Sequence, residues 1–149
     1  MNLKEFLEKE RQDNLKKQIQ IKQKKDILKK KTDGFREIFV KKILNKSWVK
    51  LNELSTKIPV FNVEEFDRKI KKIPFLVSYN IKINIYQEER HYLLEIYGEP
   101  KKDYKTISID FRSLSNQKSI GLDFFSIEEI ENLNYDTFIT KSLQKLKEF

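Results

Sequence analysis

Apolar side chains are sparse at the start of the chain and do not form a continuous helical face. Residues 2–31 contain no Gly or Pro and are rich in the helix formers Lys, Glu, Gln and Leu. Leu7, Ile21 and Leu28 share one heptad column, but the neighbouring columns are mostly polar or basic. Because a coiled coil needs two apolar columns, the pattern predicts a single solvated helix that ends at Gly34, with a self-associating coiled coil as the alternative.

Apolar positions at helical spacing begin at Phe35 and predict three consecutive short helices. The first begins at Phe35 itself, and Ser47 is suited to cap the second. The third is predicted over residues 62–72, because Asn62 and Glu65 have the spacing of a capping box. This part of the chain is therefore expected to be helical.

The periodicity then changes from that of a helix to that of a strand. Residues 75–86 alternate between apolar and polar side chains, which is the strongest strand signal in the chain. Further strands are expected near residues 91–97 and 104–111, and residues 119–125 are a candidate fourth strand. A capping-box pattern that begins at Ser126 predicts the first of two closing helices.

These elements predict an α+β fold of 149 residues and 18.1 kDa, with the last helix beginning at Asn134 or Asp136. We expect an antiparallel sheet of three to four strands packed with short helices and preceded by a basic N-terminal helical arm. The arm comprises residues 1–34, and a single domain comprises residues 35–149. The 11 Phe and 6 Tyr of the chain are enough to fill the core of a domain of this size.

Positive charge is concentrated in the N-terminal third. Residues 1–50 hold 16 Lys and Arg against 7 Asp and Glu, whereas residues 51–149 hold 15 against 16. A polycationic segment attached to a near-neutral body indicates a polyanionic partner, because lysines that approach phosphates release condensed counterions. The candidate nucleic-acid-binding lysines of the arm are Lys16, Lys17, Lys22, Lys24, Lys25, Lys29, Lys30 and Lys31.

No residue pattern indicates catalysis, a metal or a cofactor. The chain has no Cys, which excludes thiol nucleophiles, disulfides and thiolate metal sites. His91 is the single histidine and has no evident partner for acid–base chemistry, and three glycines cannot build a phosphate-binding loop. The acidic groups at residues 64–67 and 128–131 fit the first turns of predicted helices better than a two-carboxylate metal site. We therefore expect a non-enzymatic protein without a cofactor.

Hydropathy argues against a membrane location. No stretch approaches the roughly 18 apolar residues of a spanning helix, and the N-terminus lacks the apolar core of a signal peptide. A soluble intracellular protein of the cytoplasm, nucleus or nucleoid is expected. The heavy use of Lys, Asn and Ile is typical of an AT-rich or viral genome, which also explains part of the lysine excess.

Residues 35–97 resemble a winged helix-turn-helix domain. The resemblance is carried by the segment LNELSTKIPVFNVEEFDRKIKKI and by the hairpin that follows it. It implies that residues 62–72 are a recognition helix and that its basic side chains reach DNA. Those side chains are Arg68, Lys69, Lys71 and Lys72. The corresponding function is nucleic-acid binding, DNA or RNA, in a regulatory, replication or viral accessory protein.

Residues 62–149 also resemble the RWD-type domains that end coiled-coil scaffold subunits. In that alternative the arm is a stalk that docks into a protein assembly or pairs with a second copy of the chain. Salt-sensitive binding to unrelated nucleic acids would favour the first function, and salt-insensitive self-association through the arm would favour the second.

Overall fold

The computed structural model describes residues 1–147 and divides the chain into two compact units, Met1–Gly34 and Phe35–Phe149. The fold is α+β, as predicted. It opens with 55 consecutive helical residues. These comprise α1 (Leu3–Ile38), a π-helical segment (Phe39–Leu44) and α2 (Asn45–Lys57).

The predicted breaks in this helical run are wrong. Gly34 lies inside α1 without a positive φ, and a methyl group placed on it would meet no atom within 4 Å. Ser47 caps no helix; it lies inside α2, where its hydroxyl donates to the Leu44 carbonyl at 3.0 Å. A glycine inside a helix costs only about 1 kcal/mol, and the buried side chains of Phe35 and Phe39 favour continuing the helix past it.

The sheet has five strands rather than the three to four that we predicted. Each strand pairs antiparallel with the next one along the chain, so the spatial order repeats the sequence order. The strands are β1 (Phe61–Lys69), β2 (Phe75–Ile85), β3 (Glu88–Gly98), β4 (Thr106–Ser113) and β5 (Asp123–Ser126). The strands predicted after residue 75 are confirmed, with shifted ends.

The extra strand, β1, occupies most of the segment that we predicted as a recognition helix. Val63 pairs with Ile81 and Glu65 pairs with Tyr79 in the β1–β2 ladder. A β-bulge between Glu65 and Asp67 then shifts the register, and it leaves Phe66 largely exposed. Hydrogen bonding to the edge of β2 thus overrides the apparent helical spacing, and the winged-helix interpretation loses its recognition helix.

The two faces of the sheet differ in composition. On β2, Tyr79, Ile81 and Ile83 point to the buried core, whereas Ser78 and Asn80 belong to the opposite face, which we call the polar face. Helices and strands both contribute to the core. Its largest fully buried members are Phe39, Ile43, Leu44, Leu51, Phe75, Tyr79, Ile81, Leu94, Ile96, Ile107, Ile109 and Phe111.

Two closing helices follow the sheet, α3 (Ile127–Glu131) and α4 (Tyr135–Lys147). The capping box predicted at Ser126 is confirmed, because its hydroxyl accepts from the Glu129 N–H at 3.1 Å and the Glu129 carboxylate accepts from its N–H at 3.0 Å. Asn134, one of the two predicted starts of the last helix, caps α4, because its side-chain oxygen accepts from the Thr137 N–H at 3.1 Å. Within residues 1–147, no helix has both the length and the apolar character needed to cross a bilayer.

Candidate nucleic-acid interface

The predicted lysines of the arm are all exposed on α1. Across residues 1–147 none of the eight takes part in an ion pair or a side-chain hydrogen bond. Asp26 is the single carboxylate among residues 16–31, so this stretch has a formal charge of +7, eight lysines less one aspartate. The arm therefore presents cations that are neutralised by nothing in their own unit.

The lysines also occupy the columns beside the apolar ridge of the arm. At 100° per residue, Ile21 and Leu28 lie one above the other. Lys24 and Lys31 lie three residues after Ile21 and Leu28, in the column on one side of this ridge. Lys25 lies four residues after Ile21, in the column on the other side. A parallel pair of such helices would place lysines against lysines. The ridge is therefore poorly suited to parallel self-association.

The second predicted cationic group lies on a hairpin instead of a helix. Arg68 and Lys69 end β1, and Lys71 and Lys72 lie in the connection to β2. Nε and Nη2 of Arg68 donate to the Glu65 carboxylate at 3.0 and 2.8 Å.

The remaining three hairpin cations differ in how far they are neutralised. Lys69 Nζ lies 3.8 Å from the Asp67 carboxylate. Lys71 and Lys72 are exposed, and their ammonium groups have no ion pair among the described residues. These two lysines thus carry the free positive charge of the hairpin.

Arg36, which the sequence analysis did not single out, holds this connection in place. Its Nε donates to the Ile70 carbonyl at 2.7 Å, and its Nη2 lies 3.4 Å from the Lys71 carbonyl. Its guanidinium also lies 5.1 Å from the ring centroid of Phe75. The contact bridges 34 residues of chain, so no local sequence pattern could have revealed it.

The connection borders a groove of about 1050 Å³, which we call the hairpin groove. It is lined by residues 68–74 together with Leu76, Glu95 and Tyr97. Leu76 and Glu95 are only 8% exposed, and we call them, with Tyr97, the floor of the groove; the lysines of the connection are exposed, and we call them its rim. The groove therefore combines an apolar and aromatic floor with a cationic rim.

The floor contains one acidic group, and it is paired. The Tyr97 hydroxyl donates to the Glu95 carboxylate at 2.7 Å, and Nη2 of Arg112 lies 3.2 Å from the same carboxylate. Burial raises the pKa of Tyr97, and the hydrogen bond to Glu95 raises it further, so its hydroxyl stays protonated at neutral pH. Tyr97 is thus held by a fixed hydrogen bond on the polar face.

The remaining residues weighed for chemistry contact other protein groups. His91 lies 3.8 Å from the Glu89 carboxylate. The single tryptophan, Trp48, stacks on Tyr79 with ring centroids 6.2 Å apart. Residues 64–67 lie on a strand, so helix capping does not explain those carboxylates as we predicted. Over the described chain, no group of three or more His, Asp or Glu side chains is arranged to hold a metal ion.

Comparison with protein-family models, with curated proteins and with solved structures gives no match to the chain. The RWD-type resemblance stays a hypothesis: its antiparallel meander and two closing helices are present, but the helix that it places at the start of residues 62–149 is strand β1.

Proposed function

We propose that this protein binds nucleic acid and catalyses no reaction, and that the arm supplies most of the binding energy. The observation that carries the proposal is the set of eight exposed arm lysines with no ion pair in the described chain. A lysine that already pairs with a carboxylate contributes little binding free energy when it contacts a phosphate, whereas an unpaired lysine contributes the full free energy of counterion release. The free Lys71 and Lys72 of the hairpin add a second contact.

A scaffold function is the alternative, and one observation favours it. Leu7, Ile21 and Leu28 are each more than half exposed in one heptad column of the arm, which leaves apolar surface for a partner helix to cover. The lysines in the adjoining columns require such a partner to be acidic. The scaffold hypothesis therefore predicts binding to an acidic helix rather than to a second copy of the chain.

The test is a salt titration of binding to a DNA duplex of unrelated sequence. In the arm variant, Lys22, Lys24, Lys25, Lys29, Lys30 and Lys31 are replaced by Gln, which keeps helix propensity. Each replaced lysine that contacts a phosphate lowers the slope of log affinity against log salt by about 0.9. About half of the six can face one duplex at a time, so we expect the slope to fall by about 3.

A matched control removes the same charge from the body. Its six substitutions to Gln are at exposed lysines outside the arm: Lys57, Lys101, Lys102, Lys105, Lys141 and Lys145. We expect this variant to keep most of the wild-type slope. Equal losses in the two variants would show that only net charge matters and would overturn the role of the arm. Absence of binding by the wild type, together with capture of an acidic helix, would replace the proposal by the scaffold function.

A further inference from the structure

We propose that the hairpin groove receives an unpaired base of single-stranded nucleic acid while Lys71 and Lys72 contact the flanking phosphates. This inference rests on the proposed function and adds the form of the substrate to it. It gives the arm and the groove different tasks. The arm contacts phosphates of either form, whereas the groove distinguishes them.

The distribution of charge fixes how a nucleotide can lie in the groove. The floor has Leu76 and the paired Glu95 carboxylate, both almost fully buried, and a phosphate placed there would meet an anion. The rim has the free ammonium groups of Lys71 and Lys72. A ligand with an apolar planar part and an anionic part therefore lies with the planar part inward and the anion at the rim. A nucleotide has this division, and an acidic peptide without an aromatic residue lacks the planar part.

Tyr97 provides the aromatic surface for the base. Its hydroxyl is held by Glu95 at 2.7 Å, so little rotamer freedom is lost when a base packs against the ring. In the strand register Tyr97 pairs with Ser108, which pairs with Phe124 on β5. The two aromatic residues thus share one row of the polar face, two strands or about 10 Å apart. Phe124 is 58% exposed, so a strand that crosses the sheet meets a second aromatic side chain.

The rim is also held ready for a ligand. Arg36 donates to the Ile70 carbonyl at 2.7 Å and contacts the Lys71 carbonyl, which fixes the backbone that carries both rim lysines. A loop that is ordered before binding loses less entropy on binding. Bases of a duplex are stacked and paired, so they cannot enter a groove of this kind without unpairing.

The test uses the full chain with fluorescein-labelled oligo(dT) of about 20 nucleotides, longer than one binding site, and a mixed-sequence duplex of the same length. We expect Tyr97→Ala to weaken oligo(dT) binding by about fivefold or more and duplex binding by less than about twofold. Tyr97→Phe keeps the ring and should bind oligo(dT) within about twofold of wild type.

Three further measurements protect the conclusion against a folding defect. Phe124→Ala, at an exposed side chain, should weaken oligo(dT) binding by about twofold or more. The matched control Tyr86→Ala removes a fully exposed tyrosine at the other end of β2 and should change nothing. Photocrosslinking of wild type to 5-iodouracil oligonucleotide should place the adduct in residues 68–76 or at Tyr97.

The failures are distinguishable. If oligo(dT) and duplex bind wild type and all variants alike, or the adduct forms only in the arm, the groove inference is wrong and nucleic-acid binding by the arm stands. If polyglutamate displaces oligo(dT) as well as unlabelled oligo(dT) does, the groove is selecting charge alone and the inference is also wrong. If neither nucleic acid binds at low salt, the groove inference and the proposed function fail together.

Discussion

Replacing Arg36 by Ala should loosen the hairpin connection and lower the free energy of unfolding by about 2–3 kcal/mol. The variant loses a short hydrogen bond from a charged donor to the Ile70 carbonyl, at 2.7 Å, which is worth about 1.5–3 kcal/mol. The contact with the Phe75 ring, at 5.1 Å, adds about 0.5–1 kcal/mol. The Lys71 contact, at 3.4 Å, is long and adds little. Because the Arg36 side chain is partly exposed, we expect each of these contributions to lie near the lower end of its range.

Urea denaturation of the full chain measures the global loss, and amide hydrogen exchange of residues 70–73 measures the local one. Arg36→Lys keeps the charge but not the planar fork, so we expect it to recover less than half of the loss. Arg90→Ala is the matched control, since Arg90 contacts Glu88 at 3.4 Å beside a turn, and an exposed pair of this kind contributes less than about 1 kcal/mol.

A free energy of unfolding for Arg36→Ala within about 0.5 kcal/mol of wild type, with unchanged exchange in the connection, would refute this account. If the connection loosens but oligo(dT) binding is unaffected, Arg36 stabilises the fold without preparing the groove.

Two further substitutions test the core. Gly98→Ala should lower the free energy of unfolding by about 1–3 kcal/mol, because the new methyl carbon would lie 2.8 Å from Cε1 of Phe35 and 3.0 Å from Cδ2 of Phe39. Thermal denaturation measures the loss, with Gly34→Ala as the control, since a methyl group there meets no atom within 4 Å. Equal midpoints for the two variants would contradict the prediction. Tyr79→Phe should cost about 1–2 kcal/mol by removing the hydroxyl that lies 2.6 Å from Ser47 Oγ and 3.3 Å from the Leu44 carbonyl. Burial raises the pKa of Tyr79 to about 12, so wild type should lose stability as the pH rises from about 10 toward 12. If Tyr79→Phe loses as much stability as wild type over this pH range, Tyr79 does not titrate in this way.

The strands after residue 75 were predictable because their side chains alternate and one face must be buried. Phe75–Ile85 shows this best, and the capping box at Ser126 depends on two residues that are close in sequence. The segment of β1 was not predictable in this way. Val63 and Phe66 have helical spacing, and the strand forms because the edge of β2 offers hydrogen-bond partners that no local pattern records.

The candidate interface was predictable in its residue types but not in its geometry. Lysines in the arm and at residues 68–72 stand out by charge alone. The pairing of Arg68 with Glu65 and of Lys69 with Asp67 depends on strand pairing and a bulge. Tyr97 and Arg36 come from distant parts of the chain and contribute only once the sheet has formed, so sequence patterns gave no reason to select them.

The meander order of the sheet has a consequence for how the domain folds. Every strand pairs with its sequence neighbour, and Tyr86 and Gln87 alone join β2 to β3, so each pairing closes a short loop with a small entropy cost. Domains rich in such local pairings have low contact order and fold fast. The exceptions are α3 and α4, which pack on the π-helical segment and on α2, respectively, across the length of the sheet sequence. Hairpins can therefore form while the chain is still being synthesised, whereas the core closes only when the C-terminal helix is available.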